Sequence, residues 1–249
     1  MTATSPLHTT RASYDTVAVD YASLLADELA AKPLDRAMLG AFAECVRADG
    51  GGPVADLGCG PGRVTAYLRD IGLPAFGIDL SPGMVAEARR RHPDLRFDEG
   101  TMSALDLADG SLRGALAWYS LVHTPPEELE PYAAEFHRVL APGGHLLLAF
   151  KVGDERVRLE HAYGHPVDLD VYRFSPERVA GLLVRTGFEV QARLIRAADP
   201  WEATPQAFLL ARKAGRKADR KPGQEAGQDT RRKTGEQTGE GAGNEAGEH

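Results

Sequence analysis

The stretch "VADLGCGPGR", Val54 to Arg63, constrains this chain more than any other. A short apolar run leads into glycine at alternate positions, Gly58, Gly60 and Gly62, and then into a helix-compatible segment. Glycine takes positive φ without strain and lets a ligand approach the main chain closely. Strand, glycine loop and helix in that order present backbone N–H groups at a helix N-terminus. A plain tight turn needs one or two glycines, so three in alternation read as a ligand-binding loop.

The flanking sequence alternates in the same way. "VAVDYASLLADELA" and "LDRAMLGAFAECVRA" carry apolar residues at helical spacing. Strands are predicted at Val54–Leu57, Ala75–Asp79, Leu95–Phe97 and "RGALAWYS", with helices at Arg63–Asp70, from Ser81 and over "PEELEPYAAEFHRVL". Ser81-Pro82 and Ser175-Pro176 supply an N-cap followed by proline at the first helical position. "APGG" (Ala141 to Gly144) reads as a turn before the buried strand "HLLLAF", and "FEVQARLIR" and "QAFLLARK" close the pattern. Alternation of this kind specifies an α/β fold, a doubly wound and mostly parallel sheet with helices on both faces.

Composition bounds the rest. The 249 residues, 43% hydrophobic, suffice for one globular domain with its own core. A net charge of −7 with no long basic stripe in the first two hundred residues gives no case for nucleic acid. No apolar run approaches the roughly 20 residues of a membrane span. The start lacks the basic head and apolar core of a signal peptide. Two cysteines, Cys45 and Cys59, make neither a disulfide framework nor a zinc site. Together these features predict a soluble cytoplasmic protein. From Ala214 onward there is no Leu, Ile, Val or aromatic residue, which predicts a disordered tail over 214–249.

Two ligand classes use such a glycine loop. Dinucleotide enzymes use G-x-G-x-x-G or -A. Neither frame here completes that pattern, because Arg63 or Thr65 stands at the third position. Asp56, two residues before the first glycine, would repel a pyrophosphate but suits a ligand with a positive amino group. Asp79, at the end of the second strand, stands where an acid binds ribose hydroxyls. The pair favours an amino-acid-bearing nucleoside over a nicotinamide dinucleotide.

"VADLGCGPGR", "GIDLSPGMVAEAR", "GTMSALDLADGSL", "WYSLVHTPPEEL" and "EFHRVLAPGGHLLLAF" occur in order, and together resemble a class I S-adenosylmethionine-dependent methyltransferase of the small-molecule type common in bacteria. The resemblance spans roughly residues 14 to 212. It implies a Rossmann-like seven-stranded sheet whose last strand is antiparallel and inserted beside the fifth. It implies three segments: a flexible N-terminus over 1–13, the methyltransferase domain over 14–213, and the tail. In the cofactor site, Gly58, Gly60 and Gly62, with Cys59 between them as a small packing residue, would run along the methionine half of S-adenosylmethionine. Asp56 would meet the amino group and Asp79 the ribose. Leu80 and Met84 would flank the adenine, with Thr101 and Met102 at its edge. Many relatives carry an acid where Thr101 stands, and its absence leaves adenine recognition to backbone groups or to Asp98 and Glu99. Tyr119 follows the fourth strand at the ligand-binding edge, and an N-terminal helical lid would carry Tyr14 and Tyr21 over the cofactor.

The cofactor carries the hard chemistry of methyl transfer, so a positioned acceptor needs no catalytic side chain. His123, in "WYSLVHTPP", is the candidate base for a hydroxyl or ammonium acceptor. Tyr163, His165 and Tyr172, in the segment before the "SPERVAGLLVRTG" helix, are candidates to face the substrate. His161 and His165 would be a metal pair only on a helix, which Gly164 and Pro166 oppose, so no metal is expected. The expected activity is methylation of a small-molecule O or N acceptor. The alternatives are an S-adenosylmethionine-binding sensor or partner protein and, behind it, a nicotinamide-dependent oxidoreductase. Oligomeric state is not legible from the chain.

Overall fold

The computed structural model describes residues 6–215. The predicted tail falls outside the described residues except for Ala214 and Gly215. Nine strands and six helices follow in the order α1 (Pro6–Leu24), α2 (Pro33–Ala48), β1 (Val54–Leu57), α3 (Arg63–Asp70), β2 (Ala75–Asp79), α4 (Pro82–Arg91), β3 (Phe97–Glu99), β4 (Leu112–Trp118), α5 (Leu129–Val139), β5 (Leu140–Lys151), β6 (Arg156–Ala162), β7 (His165–Tyr172), α6 (Pro176–Arg185), β8 (Phe188–Arg196) and β9 (Gln206–Lys213).

Seven strands form one sheet in the order β3-β2-β1-β4-β5-β9-β8. β9 runs antiparallel to both β5 and β8, and the other pairings are parallel. The expected sheet, with its last strand inserted beside the fifth, is present. Its central strands are apolar on both faces because both faces are covered. On β5, Leu146 and Leu148 join Ala115, Ala117, Phe136 and Leu183 on the α5–α6 side. The intervening Leu147 and Ala149 join Leu116, Phe42, Leu68 and Phe208 on the α2–α3 side. Period-two alternation thus divides one hydrophobic run between two cores.

Several predicted boundaries move. Helix α1 begins at Pro6, inside the segment expected to be flexible, and ends at Leu24 rather than running on to Ala30. A separate 3-10 turn covers Glu28–Ala31. β3 lies two residues later than its apolar run suggested, because its edge position tolerates Asp98 and Glu99. "APGG" is not a turn between elements but part of β5, where pairing with β4 shifts register between Leu112 and Gly114. Gly143, at φ 80, absorbs that irregularity. The segment expected as a substrate-facing loop is a two-stranded antiparallel ribbon, β6–β7, outside the main sheet.

Helix α1 bridges that ribbon and α4. Ser13 Oγ donates to the Asp168 carbonyl at 3.3 Å and accepts from the Asp168 N–H at 3.1 Å. On its other side Asp15 Oδ1 accepts from Ser81 Oγ at 2.6 Å and from the Gly83 N–H at 2.9 Å. An acid at the N-terminus of α4 complements the helix dipole. Val17 and Ala18 bury against Met84. The helix therefore lies over the carboxyl ends of the parallel strands, as a lid would.

Candidate functional site

At those strand ends lies a cavity of about 520 Å³. Its floor is the glycine loop. Gly58 has φ +72, and a Cβ there would overlap Ser120 Cβ. Gly60 has φ +53 and faces the Tyr21 ring and Met84 Sδ. The Gly60 N–H donates to Asp79 Oδ2 at 2.7 Å, and the Ser81 N–H donates to Asp79 Oδ1 at 2.9 Å. The loop and the end of β2 are thereby locked together, while each carboxylate oxygen keeps a lone pair. Burial raises the Asp79 pKa, and the two backbone N–H bonds oppose the rise.

Asp56 lies beneath the loop, 1% exposed and outside the cavity lining. Its Oδ2 accepts from Thr65 Oγ1 at 2.7 Å, and its Oδ1 has no partner. Burial pushes its pKa up to about 6, against the pull of the Thr65 hydrogen bond and the Arg63 charge.

The residues expected at the cofactor divide into two groups. Tyr14, Tyr21, Gly58, Gly60, Asp79, Leu80, Met84, Thr101, Met102 and Tyr119 all line the cavity. Cys59 and Gly62 do not. Cys59 is buried against Val85, Ala88 and Phe97, which is the packing role expected of its thiol. Gly62 is the αL residue before α3, and a Cβ on it would sit 2.6 Å from the Phe97 ring. Its lack of a side chain serves helix packing, not ligand approach. Asp98 and Glu99 also stay out of the lining, paired with Arg96 at 2.6 Å and Arg11 at 3.9 Å. Thr101 and Ser103 take that wall, with their hydroxyls 2.9 Å apart. Sequence reasoning missed Ser103, Trp118 and Tyr132, which also line the cavity. Serine after the third strand was the one available signal.

His123 sits at the lid side of the cavity. Its Nδ1 lies 2.7 Å from the Asp170 carbonyl oxygen. A carbonyl only accepts, so Nδ1 carries the proton and Nε2 is the basic atom. Nε2 accepts from the Tyr14 hydroxyl at 2.7 Å. Burial lowers the His123 pKa, and the Asp170 carbonyl partly offsets this. Burial raises the Tyr14 pKa well above its ordinary value.

A second cavity of about 400 Å³ lies behind this pair, under the β6–β7 ribbon. Tyr14, Tyr21, Tyr119 and His123 line both cavities and form the boundary between them. Of the residues expected to face substrate, Tyr163 lines this chamber, its ring centroid 4.8 Å from that of Tyr21. His165 does not, since its Nε2 lies 2.6 Å from Asp20 Oδ2 on the lid. Tyr172 packs on the sheet core instead. His161 and His165 stand on opposite strands of the ribbon, so the helical metal pair does not form.

Comparison with known proteins matches this geometry. Residues 54–144 match the family model described as a methyltransferase domain. A demethylmenaquinone methyltransferase of Beutenbergia cavernae is 34% identical over 142 residues, which is 57% of this chain and 58% of that protein. A malonyl-[acyl-carrier protein] O-methyltransferase of Enterobacter lignolyticus is 34% identical over 110 residues, 44% of this chain and 43% of the relative. The chain thus spans about half the length of these relatives. The magnesium protoporphyrin IX methyltransferase of Synechocystis PCC 6803, solved with bound S-adenosylmethionine, superposes with TM-score 0.65 at 17% identity, covering 86% of this chain and all of that one (100%). The 1,6-didemethyltoxoflavin-N1-methyltransferase of Burkholderia thailandensis superposes with TM-score 0.57 at 24% identity, covering 86% and 92%.

Fold and site define a Rossmann-like nucleoside-binding protein of the methyltransferase type. Residues 54–144 match a methyltransferase domain, and the matched relatives support a class I S-adenosylmethionine-dependent methyltransferase.

The residues present fit that family's cofactor. The glycine floor is open above Gly60, where a Cβ would meet its nearest atom, in the Tyr21 ring, at 3.9 Å. The buried Asp56 Oδ1, Tyr119 hydroxyl and Ser120 Oγ have no hydrogen-bond partner among the described residues, and Tyr119 and Ser120 line the cavity. Buried polar atoms are normally paired, so these point to a polar ligand.

Proposed function

We propose that this chain transfers the methyl group of S-adenosylmethionine to an O or N atom of a small molecule. The observation that carries the proposal is the pair of cavities meeting at Tyr14, Tyr21, Tyr119 and His123. The first fits a nucleoside with an amino-acid arm, and the second can hold an acceptor against it.

When bound, S-adenosylmethionine supplies an electrophilic methyl on a sulfonium, and displacement leaves S-adenosylhomocysteine. The protein's task is alignment. Asp79 would take the ribose diol on its free lone pairs. Asp56, beneath Gly58 and Gly60, favours a positive amino group above it. Thr101, Ser103, Leu80 and Met84 enclose the space left for the base. Helix α1 closes over the site and excludes water, which strengthens every electrostatic contact inside.

The proton has a defined route. The Tyr14 hydrogen already points at His123 Nε2, so the Tyr14 oxygen is free to accept from an acceptor O–H or N–H at the boundary. As the acceptor gains its methyl, its proton passes to Tyr14 Oη while the Tyr14 proton passes to His123 Nε2. His123 is thus a base acting through Tyr14. The relatives' names offer demethylmenaquinone and malonyl-[acyl-carrier protein] as comparison acceptors.

Calorimetric titration with S-adenosylhomocysteine is the test, followed by turnover on an acceptor panel. Micromolar binding, weakened tenfold or more by Asp79→Ala, about 1.4 kcal/mol, is the expected result. Failure of the folded protein to bind would overturn the reading. Binding without product from any acceptor would make the chain a sensor rather than an enzyme.

A further inference from the structure

The second cavity has an unusual lining. Part of it is apolar, made of Val122, Val157, Leu159, Leu169, Val171 and Trp201. Another part is charged and consists of Lys32, Arg63, Lys151, Arg173, Glu28 and Glu202.

The charges do not balance. The Lys32 ammonium donates to Glu28 Oε1 at 2.9 Å and Glu202 Oε1 at 2.8 Å. Arg63 meets Glu28 Oε2 at 2.7 Å. Both acids of the lining are therefore engaged by those two cations. Among the described residues Arg173 pairs only with Glu155, at 3.4 Å, whose side chain is 64% exposed and lies outside the cavity lining. The Lys151 ammonium has no hydrogen-bond or ion-pair partner among the described residues. Burial lowers its pKa, and the nearby Arg173 lowers it further. A half-buried cation without a partner is costly, so one held in a cavity wall has a function to serve.

Its place in the fold gives that function. Lys151 ends β5, paired with Gln206 of β9, at the carboxyl edge where open α/β sheets bind ligands. Tyr14 and His123 line the same chamber.

We infer that the acceptor is an amphipathic acid. Its single anionic group, a carboxylate or a phosphate, docks on Lys151 and Arg173. Its apolar body lies along Val157, Leu159, Leu169 and Trp201, and a separate O or N atom is presented at Tyr14. The inference rests on the methyl-transfer reading and adds the substrate class.

The test uses the full chain saturated with S-adenosylhomocysteine and titrated calorimetrically with four probes of one shape. They are 2-naphthoate, 2-naphthyl phosphate, neutral 2-naphthamide and cationic 2-naphthylmethylammonium. At least one anion should bind tenfold or more tighter than the amide, and the stronger of the two identifies the head group. Lys151→Met should reduce that preference at least fivefold and leave S-adenosylhomocysteine affinity within twofold. Equal binding of amide, ammonium and anions to the wild type overturns the inference, as does an undiminished preference in Lys151→Met. If Lys151→Met does not fold, Lys151→Gln takes its place, and the wild-type ranking is decisive alone. Loss of S-adenosylhomocysteine binding in the wild type would instead overturn the underlying methyl-transfer reading.

Discussion

The Tyr14 hydroxyl donates to His123 Nε2 at 2.7 Å across a sequence separation of 109 residues. One partner lies on helix α1 and the other after β4, so the hydrogen bond ties α1 to the strand ends. Tyr14→Phe removes the donor and leaves a buried acceptor unpaired, at a cost of about 1–3 kcal/mol. If the proton travels by the Tyr14–His123 route, Tyr14→Phe and His123→Ala should each lower kcat by about a hundredfold. The double variant should fall no further, because both changes interrupt one chain. Independent, additive losses would show the two residues acting separately.

The pH profile gives a second view of this pair. A base at His123 would act in its neutral form, and burial lowers its pKa below 6.5. Its kcat limb should therefore rise with pH below 6.5 and be flat from neutrality upward. A limb centred above 7 would assign the titration to another group.

Asp56 makes a prediction of opposite sign. Its folded pKa of about 6 lies above the ordinary 3.8, so the folded state holds the proton more tightly than the unfolded chain. Asp56 thus favours folding below pH 4, and that benefit is lost as pH rises through 6. The change amounts to about 3 kcal/mol at most. Chemical denaturation at pH 4.5 and 7.5 should show the stability of wild type relative to Asp56→Asn falling with pH. Cofactor binding should run the other way. A positive amino group favours the ionised carboxylate, so S-adenosylhomocysteine should bind several-fold tighter at pH 7 than at pH 5. Asp56→Asn should flatten that dependence.

The two glycines at opposite ends of the loop should fail differently. Gly58→Ala would place a methyl against Ser120 at the cavity floor, whereas Gly62→Ala would drive one into Phe97 under α4. Both also put alanine at positive φ, which costs about 1–2 kcal/mol. Gly58→Ala should weaken S-adenosylhomocysteine binding at any temperature. Gly62→Ala should lower Tm by several degrees, yet bind normally wherever it remains folded. Melting curves and titrations at 10 °C separate the two.

The contrast between these glycines shows what the sequence revealed. Strand, loop and helix, and the sheet order they imply, were legible because local periodicity and turn chemistry are written in adjacent residues. Asp79 and Met84 could be placed because they keep a short, regular distance from the loop. Gly62 could not be told from Gly58, because only tertiary neighbours decide whether a missing Cβ faces Ser120 at the cavity floor or Phe97. The β6–β7 ribbon was hidden for a related reason. His161, Gly164 and Pro166 break its apolar alternation, and both of its faces are partly solvated. The second cavity inherits that blindness. Lys151 ends a hydrophobic strand with nothing in sequence to mark its ammonium as unpaired, and Tyr14 gives no sign of His123.

The wall of the second cavity depends on one arginine. Arg196 Nε donates to Asp35 Oδ1 at 3.0 Å, and its other nitrogens reach Glu202 at 2.5 and 2.7 Å. Glu202 in turn holds Lys32, and its pKa falls to about 2 because these hydrogen bonds outweigh the cost of burial. The network joins β8, α2 and the segment before β9, and it presents Glu202 and Lys32 to the second cavity. Asp35 is 1% exposed, so removing its partner strands a buried charge. Arg196→Met should cost about 3–5 kcal/mol, more than a surface pair could. It should also release Glu202 to answer Lys151 across the chamber. Binding of anionic naphthalene probes should therefore weaken in Arg196→Met even below its melting transition, while S-adenosylhomocysteine affinity holds. Asp35→Asn with Arg196→Met should recover part of the stability but not the anion binding, because the neutral pair removes the stranded charge without restoring the hold on Glu202. Recovery of both would show that the network stabilises the chamber as a whole and does not set its charge.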